Sequence, residues 1–431
     1  MSAIRLRRGH EQDRMIPRLT GRGTDASWRS TLLAVCLAQA VAIVGFDFTL
    51  PFIPLYLQHD LGVRGLGQTA LWAGLIGFGP AIPATIFGPL WGSVADRFGY
   101  RFMLLRAMIC AAILLALMGL APSPGILLLL RMIQGALTGT IFAAQALVAA
   151  TVPEKETGRS MGLLQMSVSL GATIGPVAGG AVAQYLGFRA PFAAAGVLLA
   201  LGTVMVYCFV HEPERHTRTE ERPTTKASIV SVLRMPIFLG ALVLTLLTQL
   251  CVTALFPVIP LFVQDLLHGA ANVAADTGWV MALSGLASAA GAYTAGRLQR
   301  RVGLRPLLVA ALVLSALLLL PQAFVGSFTS FLLLRGIAAF AFGCLFSLVG
   351  VWAAISSPPD AKGTAFGLMG AASSMGFGAG PLLGGALAAS IGIRPIFVIS
   401  ALLLLTVPVL FGLVLAIGSA RKRFPALPRI A

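Results

Sequence analysis

The chain has 431 residues, 57% of them hydrophobic and only 11% charged, with a mean hydropathy of +0.89. A soluble globular domain is typically about 25% charged, so the composition excludes an ordinary water-soluble fold. The net charge of +16 invites a nucleic-acid reading, which its distribution along the chain then removes.

Residues 1–30 are Arg-rich and lack an apolar segment, so they read as a cytoplasmic tail and not as a cleavable signal peptide. Met1 and Met15 are both candidate translation starts. Apolar runs long enough to cross a bilayer then recur near 31–57, 69–90, 103–121, 126–150, 160–184, 190–210, 237–264, 276–296, 306–325, 328–350, 363–388 and 395–418. A β-barrel needs alternating polar and apolar positions, and runs such as "LLVAALVLSALLLL" (307–320) do not alternate. The expected fold is therefore an all-α integral membrane protein of twelve transmembrane helices. The charged, Pro-containing stretch 211–235 reads as a cytoplasmic linker between a bundle over 31–210 and a second over 236–418, and 419–431 as a closing cytoplasmic tail.

With the N-terminus inside, 26 of the 31 Lys and Arg fall in segments on the inner side. Only Arg64, Arg189 and Arg394 fall outside, and Arg131 and Arg335 lie within spans. This asymmetry orients a membrane protein with both termini cytoplasmic. The positive charge thus sets topology; the expected partners are lipid and a small-molecule substrate, with no nucleic acid, and the chain is expected to be a monomer.

The chain is written twice. Gly162, Gly175, Pro176, Gly179, Gly180, Gly187, Arg189 and Phe192 recur 205 residues later, and "PFIPLYLQ" (51–58) recurs as "PVIPLFVQ" (257–264). Arg131 recurs as Arg335. Both copies start on the same side, so each repeat holds six helices. Two parallel six-helix bundles with a central cavity are a transporter architecture.

The five cysteines sit inside apolar runs without metal or redox spacing and read as small packing residues. No phosphate-binding loop, metal cluster or nucleophile–base set stands out, and no metal or cofactor is expected. A membrane enzyme is disfavoured, as is a transport-dead sensor, which would need a soluble domain that the short head and linker do not provide.

Asp47, in "VAIVGFDFTLPFIP", is the one acid deep in a span, with Phe46 and Phe48 beside it. An ionised residue at mid-helix costs about 2.5–3.5 kcal/mol, so such residues normally face a cavity and find a partner. Polar stripes point the same way: Gln39 and Asp47 share a face of the first span, Arg131, Gln134 and Thr138 share one on the fourth, and Thr245, Thr248 and Gln249 cluster on the seventh. Phe46 is the aromatic most worth placing beside an apolar pocket.

Three motifs carry a resemblance. The loop "WGSVADRFGYR" (91–101) presents Gly92, Asp96, Arg97, Gly99 and Arg101; "RMIQGALTG" (131–139) lies on the fourth span; "GATIGPVAGG" (171–180) brings Gly171, Gly175, Pro176, Gly179 and Gly180 to the fifth. Together, and in this order, they resemble the motifs of the major facilitator superfamily, in particular its twelve-span drug/proton antiporters. The resemblance implies a carrier of the bacterial cytoplasmic membrane that exports hydrophobic or cationic compounds against a proton gradient. It implies that Asp96 docks at the N-terminus of the eleventh span, holding the cytoplasmic side closed, and that a first-helix acid at Asp47 lies near the fourth-helix Arg131. Protonation is expected to loosen that pair. Physically, small residues on the fifth span allow close helix approach, and Pro176 is expected to bend it. An exporter of one metabolite, such as a sugar or siderophore, is the alternative.

Overall fold

A computed structural model of the chain describes residues 21–153, 156–210, 235–268, 272–356 and 362–406. These residues are almost wholly helical, and nine helical segments among them are long and apolar enough to cross a membrane. The other three expected crossings are helical too. Span four is split into α6 (Pro124–Leu137) and α7 (Thr140–Thr151), span eight is α12 (Val273–Val302), and span twelve begins as α16 (Arg394–Thr406).

The remaining helices follow the chain. The first span is α1 (Gly21–Thr49) and α2 (Ile53–His59), joined by a 3-10 turn, Leu50–Phe52, where Pro51 removes a backbone donor. The second is α3 (Leu66–Phe78) and α4 (Ala81–Phe98). Then come α5 (Tyr100–Gly119), α8 (Thr157–Leu186) and α9 (Ala190–Phe209). The second half repeats the order as α10 (Pro236–Ala254), α11 (Val258–Leu266), α13 (Leu304–Leu319), α14 (Phe328–Ser356) and α15 (Lys362–Ile391). Pro176 does not interrupt α8, which continues as helix to Leu186.

Buried apolar residues form two cores. One runs from Leu32 to Val210; the other spans Phe238 to Leu404 and takes in Phe52, Leu55, Ala70 and Ala183 from the first half. Those four mark where the halves meet. The seam is built twice, by repeat-related residues. A side chain added to Gly74 of α3 would meet Pro381 O of α15 at 2.5 Å, and one at Gly278 of α12 would meet Pro176 O of α8 at 2.7 Å. One turn along, Gly385 lies against Ala70, and Gly180 against Ala274. Without a hydrophobic driving force between helices in lipid, backbone-close packing of this kind is what holds them together.

Both seams lie towards the same end of the molecule, reaching Gly67–Ala389 on one side and Gly180–Ala274 on the other. That end is also tied within each half by an exposed ion pair, Asp60–Arg189 (3.1 Å) and Asp265–Arg394 (3.2 Å), again related by the repeat. At the opposite ends of the same helices, Gly162, Gly296 and Gly370 face open space. The bundles are therefore apposed at one end and parted at the other, and the parted end carries Arg97, Arg101, Arg159, Arg297, Arg300, Arg301 and Arg305.

In a background freed of native cysteines, Gly67→Cys with Ala389→Cys is expected to cross-link under mild oxidation. Gly162→Cys with Gly296→Cys is expected not to. Mobility of the oxidised and reduced protein on a denaturing gel reads both.

Candidate functional site

Among the described residues, two guanidinium groups are buried within the bundles. Arg131 is 9% exposed and Arg335 is 6% exposed. On α6, Arg131 donates from Nη1 to Gln134 Oε1 at 2.7 Å and from Nε to Ile76 O of α3 at 3.4 Å. The i, i+3 spacing is what brings Gln134 within reach. Gln134 in turn accepts at its backbone oxygen from Thr138 N (2.9 Å) and Thr138 Oγ1 (2.7 Å).

Here the fourth span breaks. Thr138 is extended (φ −98, ψ −160) and Gly139 has φ +125, a region that side-chain-bearing residues avoid. The helix resumes at Thr140, whose Oγ1 accepts from Gln39 Nε2 of α1 at 3.5 Å. Backbone freed by a break must find partners at membrane depth. Ala136 O finds one in Trp91 Nε1, at 2.6 Å. Gln39 Oε1 and Gln134 Nε2 are buried with no protein partner. The result is a polar knot of Gln39, Arg131, Gln134, Thr138 and Thr140 inside the first bundle. The stripe on the fourth span was legible in the sequence; the break within it was not, although Thr-Gly-Thr in an apolar run is a signal that could have found it.

Asp47 lies elsewhere in the same bundle. It is partly buried on α1, and its Cβ sits where a side chain on Gly175 of α8 would come to 2.7 Å. Gly171 packs likewise on Ala40 and Ile43, and Gly179 on Phe48. The motif glycines thus press α8 onto α1, while Pro176 and Gly180 face the other bundle across the seam. The expected Asp47–Arg131 pair is not formed: among the described residues Asp47 has no ion pair or hydrogen bond. The reason is local. Gln134, one turn along the same helix, accepts from Nη1 and Ile76 O accepts from Nε, so neutral groups engage two of the three guanidinium nitrogens without a carboxylate.

In the second bundle the place of Asp47 falls to Thr253, against Gly380 of α15. Its hydroxyl shares its one proton between two carbonyls in reach, Gln249 O (2.8 Å) and Gly376 O (3.0 Å). The same contact is therefore an ionisable acid in one half and a satisfied hydroxyl in the other. Gln249 packs its Cβ against Gly376. Phe46 packs on the first core, and Phe256 meets Phe377 edge-on, ring centroids 6.1 Å apart.

In the loop motif, Gly99 has φ +99 and ends α4, and Arg101 Nη2 donates to Tyr207 O at 2.7 Å. Arg97 is exposed with its guanidinium 5.4 Å from the Phe98 ring. The side-chain position of Asp96 and the surroundings of Gly92 lie outside the described residues, and with them the expected docking of Asp96 on the eleventh span.

The bundle architecture, the doubled seam and the buried charges meet a family model, described as Major Facilitator Superfamily, that matches residues 35–275 and 245–428. The chain belongs to the major facilitator superfamily. It is 31% identical to the multidrug resistance protein MdtG of Salmonella typhimurium over 92% of this chain and 97% of that protein. It is 32% identical to MdtG of Enterobacter lignolyticus over 90% of this chain and 92% of that one. Among solved structures, it resembles an inward-facing, occupied bacterial homologue of the human lysosomal transporter Spinster, with a TM-score of 0.72 and 19% identity, over 90% of this chain and 97% of that one. It resembles the nucleoside transporter NupG with a TM-score of 0.73 and 14% identity, over 88% of this chain and 99% of that one. At these identities the structural likeness speaks for the fold alone.

Gln134→Leu leaves Arg131 Nη1 without its acceptor and is expected to destabilise the protein by about 1–3 kcal/mol. A lowered melting temperature in detergent, with the helical circular dichroism of the folded protein retained, checks this.

Proposed function

We propose that this protein exports hydrophobic, often cationic, compounds from the bacterial cytoplasm in exchange for protons, by alternating access between its two bundles. The observation that carries the reading is the position of Asp47. Its Cβ abuts Gly175, and the next residue, Pro176, presents its carbonyl to Gly278 of the other bundle. The one unpaired acid of the first span thus stands one residue from the seam that opens and closes. A proton or a cationic compound at Asp47 changes the charge there, and a two-state seam responds only to a ligand that distinguishes its two states.

On the positive-inside reading, the parted, Arg-bearing end faces the cytoplasm. The arrangement then corresponds to a carrier open inward to load substrate. Protonation of Asp47 from the outside, after the seam has exchanged, would release the substrate and carry the proton in. The membrane potential supplies about 2.3 kcal/mol per charge per 100 mV to that step. The MdtG relatives, named for multidrug resistance, support a polyspecific cargo over a single metabolite. The energy source in this account is the proton gradient, with no cofactor. In this account the protein is a multi-pass protein of the inner membrane, works as a monomer, and has both termini in the cytoplasm.

Inverted membrane vesicles incubated with a panel of fluorescent cationic dyes test the reading. An imposed pH gradient is expected to drive dye uptake by wild type, and Asp47→Asn is expected to lose the gradient dependence while still binding dye. Undiminished gradient-driven uptake by Asp47→Asn would refute the coupling role.

A further inference from the structure

The second buried guanidinium has no use in the account above. Arg335 on α14 is the repeat counterpart of Arg131 but not its equivalent in partners. Where the first half has Gln134 and the carbonyl of Ile76, the same offset of 204 gives Ala338 and Val280. Ala338 offers no side-chain acceptor for Nη1, and the Val280 carbonyl accepts from Ser284 Oγ at 2.7 Å. Arg335 Nε and Nη1 are accordingly buried without a hydrogen-bond partner, at 6% exposure. Arginine stays charged at any physiological pH, so this position cannot relieve itself by losing a proton.

Its direction follows from its neighbours on the helix. Leu333 and Ile337 are 61% and 55% exposed, and at ~100° per residue they lie about 160° from Arg335. They mark the lipid-facing side, so Arg335 points inward. Eleven residues on, within about 20° of the same stripe, Phe346 is exposed at 36%, nearer the parted end of the bundles. An inward-facing, permanently charged planar donor with bare N–H groups suits the bidentate geometry of a carboxylate. Among the described residues the second half holds two acids: Asp265 is taken by Arg394, and Asp276 lies in the first turn of α12, at the closed end.

We propose that Arg335 is an anion-binding position in the second bundle, accepting the carboxylate, or a comparable monoanionic group, of an amphiphilic aromatic compound that enters from the parted end. Cation recognition in the first bundle and anion recognition in the second then make the cargo range include zwitterions and organic acids as well as cations. The inference rests on the transport reading only in calling the ligand cargo; the binding itself is testable without transport.

Full-length protein in nanodiscs of zwitterionic lipid is titrated with three probes sharing one aromatic body, with empty nanodiscs subtracted. The probes are 2-naphthylacetate, its primary amide and (2-naphthylmethyl)trimethylammonium. Wild type is expected to bind the carboxylate about tenfold more tightly than the amide, and Arg335→Gln to abolish that preference while leaving ammonium binding unchanged. Arg335→Met, which also removes the unpaired charge, serves as a second variant if Arg335→Gln does not assemble. Exchanging gluconate for chloride at constant ionic strength separates the sources of the anion. Weaker naphthylacetate binding in chloride marks a site that an inorganic anion also fills; unchanged binding marks one that needs the organic body, and either result supports the site. Equal binding of carboxylate and amide by wild type, or a preference that survives both substitutions, overturns the proposal. Gradient-driven dye uptake by wild type that Asp47→Asn loses, with no carboxylate preference, would leave the transport reading standing and this one refuted; a carboxylate preference with no gradient-driven uptake by wild type would refute the transport reading alone.

Discussion

Hydrocarbon offers polar groups no hydrogen bonds and gives apolar helices no reason to leave it for one another. Both halves of that constraint are visible in this molecule. Helices meet where glycine and alanine let backbones touch, as at Gly74 with Pro381 and Gly278 with Pro176. Polar residues at depth are gathered into groups that satisfy one another, as Arg131 is by Gln134 and Ile76 O. The same contacts that hold the bundles together at one end are those that must separate for the other end to close, so stability and motion draw on one set of residues.

The repeat makes the departures from symmetry informative. The seam contacts and the ion pairs Asp60–Arg189 and Asp265–Arg394 occur in both halves. They are the scaffold. Three positions break the rule: Asp47 against Thr253, Gln134 against Ala338, and the split of α6 from α7 against the unbroken α14. Duplication first supplies two equal copies, and a residue that must act on a charge is needed only once. Polar groups at depth therefore differ between the halves, while the packing contacts agree.

The fourth span shows how backbone and side chain cooperate. A helix interrupted within the membrane loses hydrogen bonds at both new ends. Trp91 and Thr138 meet part of that loss, and Gln39 reaches the new start at Thr140. With Gln39 Oε1 and Gln134 Nε2 still unpartnered, the break leaves a polar spot in an otherwise apolar bundle. Breaks of this kind are tolerated where they line a cavity or are buried in protein.

Much of this was readable from the chain. Span lengths and the doubling follow from local composition and one-dimensional spacing, because the bilayer imposes a fixed length on any segment that crosses it. The polar stripe on the fourth span was legible for the same reason, since helix period is a local property. The partners were not. The expected pairing of Asp47 with Arg131 came from the family resemblance, yet Gln134 on Arg131's own helix accepts from that guanidinium, and Asp47 is set against Gly175 instead. Nor could spacing reveal which glycines of the fifth span serve their own bundle and which serve the other; only the meeting of α8 with α1 on one side and α12 on the other separates Gly175 from Gly180. The sequence by itself determined that the chain is a helical membrane protein with many apolar spans and that it is doubled. Tertiary structure alone decided which charges stay unpaired and where the halves touch, because those depend on distances between helices far apart in the chain.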